Sequence, residues 1–100
     1  MDFNKLMQQA NAMQKKMEKQ KEEFNNTAFI GEASNGMVKI TLLGNSKVEE
    51  VYIDNQLVEE KDQDILQDLV KIALNDALDK ANKANEDGFS NLAGNMPKLF

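Results

Sequence analysis

Cysteine, histidine, tryptophan and arginine are all absent from this 100-residue chain, and each absence removes a class of chemistry. Without cysteine there is neither a disulfide framework nor a thiolate nucleophile, which fits a reducing compartment. Without histidine the chain lacks the usual proton shuttle near neutral pH and the commonest transition-metal ligand. Without arginine it has no planar fork for bidentate recognition of phosphate or bases. Proline occurs once, at Pro97, and the five glycines form no phosphate-cradling loop. No window approaches the ~18 consecutive apolar residues of a membrane span, and the N-terminus lacks a signal-peptide core. No nucleophile stands beside a base. The acids Asp62, Asp64 and Asp68 lack the glycine and terminal glutamate of a calcium loop and read as helix N-terminal acids. The sequence thus predicts a soluble cytoplasmic protein that is not an enzyme, with no cofactor, no metal, no small-molecule substrate and no membrane contact.

What the chain does have is charge, unevenly placed. The net charge is −5. Residues 5–21 hold five lysines against Glu18 alone, a local +4, whereas residues 54–79 hold eight acids against Lys61 and Lys71, a local −6. Nucleic-acid binding needs concentrated positive surface, and only the N-terminal segment offers it.

That segment carries two stripes. Phe3, Leu6, Ala10, Met13, Met17, Gln20 and Phe24 alternate spacings of three and four, the seam of a helix that packs lengthwise against something. At about 100° per residue, Lys5, Lys15, Lys16 and Lys19 share an arc roughly opposite that seam. The helix should run from Asp2, as cap or first-turn acid, to Asn25, a length of ~33 Å that approaches one turn of duplex DNA. Lys19 can meet Glu22 or Glu23 one turn on.

Residues 27–53 switch to period two. Asn35-Gly36 between apolar alternations signals a type I′ hairpin pairing Ala33 with Val38, Glu32 with Lys39, Gly31 with Ile40 and Phe29 with Leu42. A second turn at Gly44-Asn45-Ser46, read with Asn45-Ser46 as a two-residue loop, would set Val51 opposite Ile40 and Ile53 opposite Val38. The other sheet face would receive Ile30, Met37, Thr41, Val48 and Tyr52, a half-apolar surface suited to a second copy of the chain. A short helical step is expected at Gln56–Glu60, then a second long helix starting at Asp62 or Asp64. Its stripe is Leu66, Leu69, Val70, Ala73, Ala77, Ala81 and Ala84, flanked by Ile65 and Ile72 on one side and by Leu74 and Leu78 on the other. Asp76, near Ile72, suits a structural bond to a loop or partner. The pattern dissolves after Asp87-Gly88. The reading is therefore an α+β domain over 1–88 (long N-terminal helix, three-stranded antiparallel meander, long second helix) with a flexible C-terminal tail over 89–100 tipped by Leu99 and Phe100.

Read end to end, the chain resembles the YbaB/EbfC family of bacterial nucleoid-associated proteins. The matching pieces are Leu6-Met7-Gln8-Gln9-Ala10, Met13-Gln14 with Met17, Gly31-Glu32-Ala33, Asn35-Gly36-Met37-Val38-Lys39-Ile40 and Val51-Tyr52-Ile53-Asp54. Asp68-Leu69-Val70, Asn75-Asp76-Ala77 with Lys80-Ala81, and the ending Asn95-Met96-Pro97-Lys98-Leu99-Phe100 follow in order. The resemblance implies a homodimer with long helices projecting like tweezer arms, nucleoid association, and duplex DNA bound with little sequence preference. Carried over by position, Lys5, Lys15, Lys16, Lys19 and Lys21 would face phosphate, joined by Lys80 and Lys83. Members commonly present arginines on such elements; lysine serves here as a point charge only. The dimer interface is expected at Ile30, Met37, Thr41, Val48, Tyr52, Leu74 and Leu78. The competing reading is a protein-interaction module, an adaptor or scaffold using the seam, the sheet face and the Leu99-Phe100 tip without touching DNA.

Overall fold

Asp2 opens the first helix: its carboxylate accepts a hydrogen bond from the Asn4 amide at 3.2 Å, satisfying one free N–H of the first turn. The computed structural model describes residues 2–94, with side chains through Gly88. Helix α1 (Phe3–Asn25) ends where its last carbonyls find side-chain donors. The Asn26 amide donates to the Glu22 carbonyl at 3.1 Å and the Thr27 hydroxyl to that of Glu23 at 2.6 Å.

Strands β1 (Ala28–Ala33), β2 (Val38–Leu43) and β3 (Val48–Ile53) form an antiparallel meander in the order β1-β2-β3. The first hairpin has the expected register in full, from Phe29 opposite Leu42 to Ala33 opposite Val38. Positive φ at Asn35 (56°) and Gly36 (86°) is the geometry a type I′ turn requires. Glu32 and Lys39, paired across the strands, bring their charges to 3.9 Å.

The second hairpin reaches the expected partners by another route. Val38 faces Ile53 and Ile40 faces Val51. The loop, however, has three residues: the Ser46 amide donates to the Leu43 carbonyl, Ser46 sits at φ 70°, and the Leu43 amide donates to the Lys47 carbonyl at 2.8 Å. This loop displaces the pairing by one residue, and an extra residue at Glu49 between the Thr41–Glu50 and Leu42–Val48 pairs restores it. The two offsets cancel before the apolar pairs begin.

Asp54 caps the short α2 (Asn55–Glu59) by accepting from the Gln56 amide at 2.8 Å. Asp62 does the same for α3 (Gln63–Gly94), accepting from the Ile65 amide at 3.1 Å. The helix passes through Gly88 and runs on to Gly94, past the point where the apolar pattern fades. A single glycine weakens a helix by about 1 kcal/mol, which does not by itself end one. The expected tip at Leu99 and Phe100 lies outside the described residues.

The core lies between α3 and the inner faces of β1 and β2. Ala73, Ala77 and Ala81 are 0, 0 and 5% exposed against buried Ala33, Val38, Ile40 and Leu42. Small residues let the helix axis approach the sheet closely. The limit is reached at Gly31, where a Cβ would collide with the backbone of Ala73 and Ala77. Leu57 of α2 closes one end of this core.

Candidate nucleic-acid interface

Helix α1 is held to the rest of the molecule at its C-terminal end. The Phe24 ring packs against Phe29, tilted by 48° with centroids 5.8 Å apart, the Phe24 backbone carbonyl lies where a Cβ on Gly44 would sit, and the Gly44 amide donates to the Thr27 carbonyl at 3.0 Å. From that anchor the helix extends outward. None of its residues is buried, and Phe3, Leu6 and Met17 are 73, 45 and 44% exposed. The seam thus does not lie lengthwise on the chain's own body. Its C-terminal half instead forms one wall of an open groove of about 1020 Å³, where Met13, Met17 and Phe24 face Ala84, Asn85 and Gly88 of α3.

Lys5, Lys15, Lys16 and Lys19 are all exposed on this arm. No ion pair within 4.0 Å engages any of them among the described residues, so the expected contact of Lys19 with Glu22 or Glu23 is not formed. The four fall within 15 residues, about 21 Å of helix axis from first to last. Lys21 departs from them. At 100° per residue it lies on the seam side of the helix, and it lines the groove beside Glu18 and Glu23.

Lys80, expected at phosphate, is engaged elsewhere. Its ammonium donates to the Ile30 carbonyl at 2.7 Å and pairs with the Asp76 carboxylate at 3.1 Å. The same Asp76 oxygen accepts the Glu32 amide at 2.9 Å. These bonds tie α3 to the outer edge of β1, the structural role expected of Asp76 in kind. The Glu32 amide, and after it the Lys80 side chain, hold the Asp76 carboxyl below the usual carboxylate range, against a smaller opposing effect of burial. The signal in the sequence was the Asp76–Lys80 spacing of four, which favours an ion pair along a helix. Lys83 is exposed on the same helix, without an ion pair among the described residues.

The residues expected to meet a second copy divide into groups. Ile30 and Tyr52, 48 and 47% exposed, border a shallow depression of about 350 Å³ with Thr41, Lys39 and Glu50 on the outer sheet face. Val48 is exposed too, but the register offset pairs it with buried Leu42 and so puts it on the helix side of the sheet. Met37 and Leu74 pack against this chain's own core, and Leu78 is half-buried. On the opposite flank of α3, Ile65 and Ile72 are more open than either leucine.

No group of three or more acidic residues able to hold a metal ion occurs among the described residues, and no described helix is long and apolar enough to cross a membrane. The model of the YbaB/EbfC DNA-binding family matches residues 1–96. A nucleoid-associated protein of Rickettsia canadensis is 39% identical over 104 aligned positions, covering 99% of this chain and 94% of that protein. Another from Rickettsia bellii is 38% identical over 95 residues, covering 95% of this chain and 89% of its own length. In three dimensions the fold is similar to an uncharacterized protein from Helicobacter pylori, with a TM-score of 0.76 and 25% identity over 93% of this chain and 98% of the other. Matched along nearly its full length in sequence and in fold, this chain belongs to the YbaB/EbfC DNA-binding family.

Proposed function

We propose that this protein is a non-enzymatic, nucleoid-associated homodimer that contacts duplex DNA phosphates with the lysines of its projecting helices, with little sequence preference. The observation that carries the reading is the exposed, unpaired set Lys5, Lys15, Lys16 and Lys19 on an arm held to the body at one end. An arm of this kind brings positive charge to the duplex while keeping the acidic body away from it. Lys21 and Lys83 contribute secondarily, and Lys80 is left to its structural bonds. Family membership and the nucleoid-associated relatives support DNA as the partner and the nucleoid as the location. Lysine, a point charge, suits phosphate contacts better than base readout. For about six to ten neutralised phosphates, affinity falls roughly 10³–10⁵-fold between 50 and 200 mM salt. A gel-shift series on random duplex DNA tests this directly. Replacing Lys5, Lys15, Lys16 and Lys19 together by Glu is expected to abolish the shift without altering the circular dichroism spectrum. An unchanged shift in that variant would falsify the arm as the contact surface.

A second reading, a protein-interaction module, is favoured by the open groove between α1 and α3 and by the net charge of −5. It predicts partners that survive nuclease treatment in a pull-down and persist in the charge-reversed variant; the DNA reading predicts their loss in both.

A further inference from the structure

Strand β1 is an edge of the sheet, so alternate residues direct their N–H and C=O groups away from β2. Such an edge is a template on which another strand can add. Two of its outward groups are already occupied. The Ile30 carbonyl accepts from the Lys80 ammonium at 2.7 Å and the Glu32 amide donates to the Asp76 carboxylate at 2.9 Å, the two side chains being paired at 3.1 Å. An incoming strand would offer this position one donor and one acceptor, and Lys80 and Asp76 supply both from α3. Among the described residues no side chain does the same for the outer edge of β3. We propose that the Asp76–Lys80 pair closes the β1 edge to strand addition, so that edge-to-edge association with a second copy is confined to β3 and stops at two chains.

The reason is one of symmetry. Pairing β1 of one copy with β3 of the next leaves a free edge at each end and continues into a filament, whereas β3 against β3 is two-fold and self-terminating. Sealing one of the two edges removes the open-ended mode whether or not the closed one is used. The inference is independent of DNA binding, and its failure leaves the arm lysines untouched.

Asp76→Ala frees the Glu32 amide and Lys80→Met frees the Ile30 carbonyl, each opening one of the two closed groups, the second keeping the aliphatic stem and serving as the test should the first fail to fold. Light-scattering mass is measured against concentration for folded variants and for wild type. The expected result is a plateau for wild type and a mass that climbs without limit for a variant. Adding an equal amount of wild-type protein should then lower the variant's average mass severalfold, because a copy with a sealed β1 edge ends each growing array. In wild type the Glu32 amide should also exchange slowly with solvent for an edge-strand position, and at least tenfold faster in Asp76→Ala, which removes its acceptor. A folded variant holding the wild-type plateau overturns the proposal. So does an aggregate that wild-type protein fails to shorten.

Discussion

Gly31 shows how one residue sets the distance between two layers. It faces Ala73 and Ala77 so closely that any side chain meets backbone, which cannot rotate away. Gly31→Ala is therefore expected to cost about 3 kcal/mol, at the upper end for overpacked cores. For a chain of this size that lowers the melting temperature by roughly 12–24 °C, measurable by thermal circular dichroism. Asp76 is the residue where pH enters. Its folded carboxyl titrates below the ordinary range because the Glu32 amide and Lys80 favour its charged form. Its contribution is thus fully present above about pH 4 and is lost as pH falls through the depressed folded value. Urea unfolding of wild type and Asp76→Asn should differ at neutral pH, and the gap should close in strong acid. A gap that stays constant with pH would remove the carboxylate from the account.

At the scale of elements, α1 behaves as a charged rod and α3 as the spine of the core. On the proposed function the rod's lysines would act through screened point charges, so each should contribute in parallel. Replacing Lys15, Lys16 or Lys19 singly by Ala is expected to weaken binding to all duplex sequences alike and to reduce the salt slope by about 1. Lys21→Ala should leave that slope nearer wild type, since Lys21 faces the groove. Titrations at several salt concentrations separate the two. Equal effects from Lys19 and Lys21 would show that face assignment does not govern contact. Reading the same helix as a soluble decoration is countered by its isolation: a ~34 Å rod with an exposed seam and one anchored end gains little from the body it leaves.

For the whole molecule, the dimensions are those of an elongated chain rather than a compact one. The radius of gyration is 19.9 Å and the extents are 71 × 23 × 16 Å, against about 13 Å for a compact chain of this length. Ile30, Val51, Tyr52, Ile65 and Ile72 all remain about half exposed. Apolar surface of this extent on so small a chain is ordinarily covered by self-association. A solution mass of twice 11.3 kDa is expected. Introducing charge at the outer sheet face, as Ile30→Glu with Tyr52→Glu, should return the protein to single chains while leaving the core unfolding transition in place, because neither side chain belongs to that core. A monomeric wild type, or a double variant that keeps the dimer mass, would exclude the outer face as the interface.

The elements themselves were legible in the sequence because each depends on local chemistry. Asp2 and Asp62 mark helix starts, Asn35-Gly36 allows the positive φ of a tight turn, and alternation between Phe29 and Leu42 specifies the first hairpin. The likeness of the chain to its family was equally legible, being carried by order and spacing. Position along the chain could not reveal the offset loop and bulge around Ser46 and Glu49, since two compensating shifts leave the distal pairs unchanged. Nor could it show that Lys80 and its neighbour Asp76 are taken up by Ile30 and Glu32 respectively, 50 and 44 positions away, which come within reach only when α3 settles on the sheet. Local preferences and periodicity are written in neighbouring residues. Which lysine stays free, which face stays bare and how far the arm reaches depend on contacts that exist only after distant segments have packed.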